Sequence, residues 1–359
     1  MSTQTKKILN GYHVVFLVQS AMLGTAILTL PRELSAVGYS QTVFPLLFGV
    51  IASLTLWPMI WLNRKYPNEN LFRINELLLG KVLGKIINVL IILQITVFIA
   101  GTITYYMDLI HSTTLPEQTN TFPLILLLLL LLYIVSGGIK SIARFCILSF
   151  FLTSGIYYFS HWAFQKGIVS HIFPLFNFNS HELFDAMKRG YLAVVGYELI
   201  MFYFPYIKEQ NKAFKHALIG IWISISLCFI TVFISVIYYS EWQLKNIKFS
   251  VLNLLKAGEL SFIERIDVFA MTLWVFLVIS TLAVYLWSAK KGMESISDKK
   301  KKYYLYILAI VIFLVIKLPF TRDFHEKLYK VNDYLVYVLI VWPIFLCIIY
   351  LLRKKQVQS

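Results

Sequence analysis

Gly24-Thr25-Ala26-Ile27-Leu28-Thr29-Leu30-Pro31 lies inside an apolar run covering residues 12–34. A glycine weakens a helix by about 1 kcal/mol relative to alanine, and a proline removes a backbone donor. A second run, residues 186–207, holds Gly196-Tyr197-Glu198-Leu199-Ile200 near its middle and Pro205 nearer its end. Either glycine alone reads equally as a close-packing residue at a helix–helix contact, which is common in membranes. Two such sites at corresponding positions are what a pocket between two interrupted helices requires.

The rest of the chain supplies the setting. Of its 359 residues 58% are hydrophobic and 14% charged, and the mean hydropathy is +0.71. Soluble domains carry roughly 25% charged residues. The apolar residues fall in ten runs, at 12–34, 42–61, 82–110, 121–135, 145–162, 186–207, 217–239, 266–287, 303–316 and 334–352. Lipid offers backbone groups no water, so these runs are read as helices. About 20 residues cross the hydrocarbon core; the fourth and ninth runs are short and the third is long. The fold class expected is an all-α integral membrane protein of about ten spans, forming one transmembrane domain over residues 1–359. Ten spans divide into two sets of five, roughly 10–163 and 185–352. An odd number of spans per half inverts the second half, giving a 5+5 inverted-repeat transporter fold with helices one and six broken.

Orientation follows from Lys and Arg. With the N-terminus inside, the inner segments hold 21 of them and the outer segments 11, with Arg32 at a helix end. The short inner link after span two carries Arg64, Lys65, Arg73, Lys81 and Lys85, whereas the outer links after spans one and three carry none. The positive-inside rule then places both termini in the cytoplasm. The net charge of +15 is accounted for by topology and contact with the lipid bilayer, so no nucleic-acid partner is expected. Cys146, Cys228 and Cys347 lie apart in apolar runs, without metal-site or disulfide spacing. The first run is too long for a cleavable signal and is read as a retained span.

A broken helix leaves orphan N–H groups on one half and orphan C=O groups on the other. The N–H end attracts a carboxylate and the C=O end a cation. In this topology the outer half of span one, from Ile27 on, points its N-terminus at the midplane. Gly24, Thr25 and Ala26 are therefore expected to meet a ligand carboxylate. Glu198 is the carboxylate at the centre of a span, where an ionised group costs several kcal/mol. A proton-coupling group, a partner for a ligand amine and a member of a structural ion pair are the roles open to it. Ser280 and Thr281, mid-span eight, either bind sodium with carbonyls of the first break or bond their own helix. Thr102, Thr104 and Tyr105 in span three are within reach of such a pocket.

Asp108 and Asp267 are candidates for the rim of an outer vestibule, and Glu264 reads as an interfacial carboxylate. The outer loop at 240–265 carries Phe249, Leu252, Leu255 and Leu260; it reads either as an amphipathic helix over the mouth or as a solvated loop. No phosphate loop or nucleophile motif occurs, so neither an enzyme, a cofactor nor a metal site is expected.

The stretch at 24–31 resembles the broken first helix of the amino acid–polyamine–organocation superfamily. The whole chain resembles the B subunits of spore germination receptors, the endospore germination permeases. The length, the ten spans, Phe204-Pro205-Tyr206 after span six and Glu264-Arg265-Ile266-Asp267 opening span eight carry that resemblance. It implies a nutrient-sensing subunit in the spore inner membrane that binds a small germinant, an amino acid or a sugar. It also implies partner A and C subunits, the first membrane-embedded and the second a lipoprotein. The pocket it implies is Gly24, Thr25, Ala26, Gly196, Tyr197 and Glu198, completed by spans three and eight. The rival function is a proton- or sodium-coupled amino-acid transporter.

Overall fold

The computed structural model describes residues 7–113, 121–258, 266–297, 301–318 and 322–358. Glu264 and Leu260 lie outside these residues. Among the described residues, six helices are long and apolar enough to cross a membrane, and two shorter apolar helices, Thr121–Ser136 and Tyr303–Lys317, stand between them. Two further crossings are interrupted. Span one is Gly11–Met22, a 3-10 turn at Ala26–Leu28, and Leu30–Glu33. Span six is a chain of short pieces, Tyr191–Val194, Tyr197–Leu199, Ile200–Tyr203 and Phe204–Tyr206. The protein is a multi-pass, all-helical membrane protein.

Spans two, four and nine turn apolar side chains outward, as in Leu54 (68% exposed) and Phe122 (72%). That is where a water-soluble protein would place charge, and the pattern is that of a lipid-facing surface. Spans one and six are the core. Leu17, Val18, Tyr197, Phe202, Tyr203 and Phe204 are fully buried. Span one packs on span seven (Ala213–Tyr238), span eight (Ile266–Ser297) and span five, which begins at Ile139–Ser154. The approach to span seven is close: a Cβ on Gly220 would lie 2.4 Å from the Val15 carbonyl oxygen. Small residues allow this contact, and dispersion between backbones rewards it.

One end of the molecule is closed. Just before span one, Ile8 and Leu9 donate their N–H groups to the Tyr206 carbonyl at 2.9 and 3.0 Å, and Lys208 N–H donates to the Leu9 carbonyl at 2.9 Å. The start of span one is thereby stitched to the end of span six by a parallel bridge between Leu9 and Ile207, both fully buried. Gln210 donates to the Pro67 carbonyl at 2.7 Å and Arg64 to the Asn211 carbonyl at 2.7 Å, which ties span two into the same plug.

The opposite end is open. Two elements there extend the sequence reading. The loop after span seven folds into Glu241–Asn246 and Ser250–Leu255, and the second of these buries Val251, Leu252, Leu254 and Leu255. Span ten is a helix over Arg322–Gln358, starting three turns before the apolar run at 334. Its first turns are charged, and His325, Glu326 and Lys330 there line a cavity rather than a lipid-facing surface.

Candidate ligand site

The two interruptions differ in how their backbone groups are satisfied. After Leu23 N–H donates to the Gln19 carbonyl at 3.1 Å, regular bonding stops. Among the described residues, the N–H groups of Gly24, Thr25, Ala26 and Ile27 donate to no protein acceptor; bonding resumes with Leu28 N–H to the Thr25 carbonyl at 3.1 Å. These four donors are the orphan N-terminus of span one's outer half, and they sit midway along the crossing. The carbonyl side of the same break is served by span eight. Thr281 Oγ1 lies 2.7 Å from the Ser20 oxygen, 3.1 Å from the Leu23 oxygen and 3.0 Å from the Leu277 oxygen. The Trp274 indole N–H donates to the Gly24 carbonyl at 3.4 Å.

At span six, Gly196 takes φ = +120°, a conformation natural to glycine and costly for residues with a Cβ. A Cβ there would stand 2.3 Å from the Ala21 carbonyl oxygen. The two breaks thus touch backbone to backbone. The Gly196 N–H is not free: it donates to Glu198 Oε2 at 2.7 Å. Glu198, 2% exposed, folds back and occupies the N–H end of its own helix. No basic side chain forms an ion pair with it among the described residues. The Tyr203 and Tyr285 hydroxyls, buried and without hydrogen-bond partners among the described residues, lie within its electrostatic reach.

A cavity of about 1360 Å³ opens from the unsealed end of the molecule and reaches span one. Its floor is Ala21, Met22, Gly24, Thr25, Ala26 and Thr281, with Val195 from span six. Span three (Lys81–Thr113) contributes Phe98, Gly101, Thr104 and Tyr105, and span ten contributes Tyr329, Asn332, Asp333 and Tyr337. Thr104 donates to the Ala100 carbonyl at 2.9 Å and its hydroxyl lies 3.1 Å from the Tyr329 hydroxyl. Tyr105 has its hydroxyl buried next to Thr29 and its ring edge-on to Phe249 at 5.6 Å. Thr102 and Asp108 also line the wall.

Of the candidates from the sequence, the structure gathers Gly24, Thr25, Ala26, Thr104, Tyr105 and Thr281 on this cavity. It places five others behind it. Ile27 is packed in the core at 1% exposure. Gly196 abuts Ala21, and Glu198 caps Gly196. Ser280 bonds its own helix through the Leu277 carbonyl at 2.8 Å. Tyr197 faces span two, its hydroxyl 2.6 Å from Thr55 Oγ1 and 2.8 Å from the Tyr191 hydroxyl. That chain continues to the cavity wall, where Tyr191 stacks on Tyr337 and Tyr337 donates to the Lys188 carbonyl. Asp267 is buried and does not line the cavity.

The residues missed from sequence are those of span ten. Tyr329, Asn332 and Asp333 stand at helical spacing in a charged stretch before the apolar run at 334 that reads as a loop, and Tyr337 continues the row inside that run.

Known proteins fit this architecture. The backbone is similar to that of Mhp1, a nucleobase-cation-symport-1 family transporter solved in a closed conformation with bromovinylhydantoin bound. The TM-score is 0.65 at 13% identity, over 95% of this chain and 80% of that one; at that identity the likeness shows a shared fold. Among characterised sequences, spore germination protein GerQB of Bacillus cereus is 24% identical, with 93% of each chain covered. Spore germination protein B2 of Bacillus subtilis (strain 168) is also 24% identical, with 95% of each covered. The relatives are germination proteins and the fold this chain shares is that of a transporter; neither points to an enzyme family. The model of the spore germination protein family matches residues 8–325, and the chain belongs to that family, the spore permeases.

Proposed function

We propose that this protein is the nutrient-sensing B-type subunit of a spore germination receptor, and that it binds a small molecule where the cavity meets the span-one break. One observation carries the reading: four consecutive backbone N–H groups, Gly24 to Ile27, have no acceptor among the described residues, and Gly24, Thr25 and Ala26 lie on the cavity floor. A buried donor without a partner costs about 1–3 kcal/mol. A ligand carboxylate or carbonyl supplies the missing acceptor, and the helix end favours negative charge. The corresponding end of span six is already taken by Glu198, so the ligand's acceptor group goes to span one. An amino acid or a sugar fits this chemistry.

Binding there bridges span one to spans three, eight and ten. A ligand shifts a conformational equilibrium by as much as it prefers one state. A state with the cavity closed over the ligand is the one to be read by partner A and C subunits. The protein is then placed in the spore inner membrane with both termini inside, the cavity opening outward and the 5+5 repeats at roughly 10–163 and 185–352 meeting at the floor. Spores lacking the chain, with and without its restoration, test this against amino acids and sugars. Restoration should recover the response to one nutrient, and a Thr25→Trp form, which fills the floor, should not. Full response from Thr25→Trp spores would contradict the reading.

A second reading, a cation-coupled transporter, has one observation in its favour. Thr281 Oγ1 has a single proton and three carbonyl oxygens within 3.1 Å. Oxygen clusters of this kind suit a monovalent cation. Sodium-dependent uptake of the active nutrient by the protein in liposomes would favour it.

A further inference from the structure

The cavity wall is charged on both signs, and two of its carboxylates are matched. Asp185 lies 2.9 Å from Arg189, and Asp108 lies 3.9 Å from Lys248. Glu33 and Asp333 both line the cavity, and neither makes a hydrogen bond or ion pair among the described residues. Glu33 closes the outer half of span one; Asp333 projects from span ten. Arg32 and Arg189 act on Glu33 at longer range, together with Asp185. The charged group acting on Asp333 is Glu33 itself. Two carboxylates without a counter-ion on one cavity wall leave uncompensated negative charge there, which a bound cation offsets.

A second feature stands beside them. Asn332 is 4% exposed, forms part of the same wall, and its buried side-chain oxygen Oδ1 has no hydrogen-bond partner among the described residues. A buried amide in that state lacks a partner that a bound molecule can supply. Tyr329 and Tyr337 flank Asp333 one helical turn below and above, and both line the cavity; aromatic faces at such a position favour a cation. The available groups are two carboxylates, an amide and two phenol rings. Among the described residues no group of three or more His, Cys, Asp or Glu side chains is placed to hold a metal ion, and this one offers only two anionic ligands. A hard divalent cation prefers more oxygen ligands than that, whereas an ammonium group needs two or three acceptors.

We propose that Glu33, Asp333 and Asn332 form a subsite for a protonated amine, so that the ligand of this cavity carries a cationic amino group directed toward span ten. The inference rests on the cavity being the ligand site. It adds a length. Glu33 is eight residues beyond Thr25, roughly 12–15 Å along the 3-10 turn and short helix that join them. A molecule that meets both the open N–H groups and the acidic pair is therefore extended, with its acceptor group at one end and its amine at the other.

The test uses the full chain in lipid nanodiscs and two probes, 6-aminohexanoate and 6-hydroxyhexanoate, which differ in the amine alone. The amino compound should bind about tenfold more tightly or better, the range for a charge-assisted hydrogen bond. Glu33→Gln and Asp333→Asn should each erase that preference while keeping the melting temperature. Equal binding of the two probes, no binding of either, or a preference that survives both substitutions would overturn the subsite. Thr25→Trp separates the two levels. If it abolishes binding of both probes, the open break and the amine subsite act together. If the amine preference survives in Thr25→Trp, the subsite stands and the reading of the span-one break falls.

Discussion

Spans one and six are interrupted at the same depth and touch each other at Ala21 and Gly196, yet they solve the problem of a broken helix in opposite ways. Span six closes its own gap: Glu198 turns back and accepts the Gly196 N–H at 2.7 Å. Span one leaves the N–H groups of Gly24, Thr25 and Ala26 without an acceptor among the described residues, beside a cavity, and hands its carbonyls to Thr281. Lipid tolerates irregular backbone only where it is buried in protein or lines a water-filled space, and the two breaks use one alternative each. A helix end that is satisfied internally is a structural joint. One that is unsatisfied and reachable is a binding surface.

That contrast predicts unequal responses to the same substitution. Gly196→Ala should be the most damaging change, because its Cβ would stand 2.3 Å from the Ala21 oxygen at a φ of +120°. A loss of about 2–4 kcal/mol is expected, read as a lower melting temperature of the purified protein. Gly24→Ala meets Thr281 Cγ2 at 3.4 Å, an ordinary contact, and should cost under about 1 kcal/mol. If both alanines were equally tolerated, the joint at span six would not be tight.

Next in size, Thr281→Val leaves the Ser20 and Leu23 carbonyls without their donor and should cost about 1–3 kcal/mol, whereas Thr281→Ser should retain most of the stability. Indifference to Thr281→Val would mean that span eight does not brace the first break. Glu198 sharpens the comparison further. Glu198→Gln keeps an oxygen that accepts from Gly196, so it should change stability by less than about 1 kcal/mol; Glu198→Ala strands that N–H and should cost about 1–2 kcal/mol. The reverse order, measured by denaturation in detergent, would show that charge rather than capping is what Glu198 provides. The smallest effect belongs to Ser280→Ala, within about 0.5 kcal/mol, since that hydroxyl bonds only its own helix.

Much of the fold is legible in the chain because membranes impose few options. Long apolar runs must be helices, and Gly24 and Gly196 stand where a helix is weakest. What the chain does not show is where side chains go once the helix has opened. Helical periodicity ends at the break, so Glu198 returning to a backbone group two residues earlier has no signature in spacing. Tyr197 likewise turns to Thr55, a partner 142 residues away. Span ten was obscured for the opposite reason. Its cavity-facing turns carry Lys327, Lys330 and Asp333, and hydropathy assigns such turns to solvent even when the water they meet lies inside the protein.

The central claim is that one break faces the cavity and the other does not. Cysteines at Thr25→Cys and Glu198→Cys, treated with a water-soluble maleimide in intact membranes and read against the native chain, measure this directly. Rapid labelling of position 25 with no labelling of position 198 is the result expected. Equal reactivity at the two positions, or labelling of 198 alone, would contradict the account.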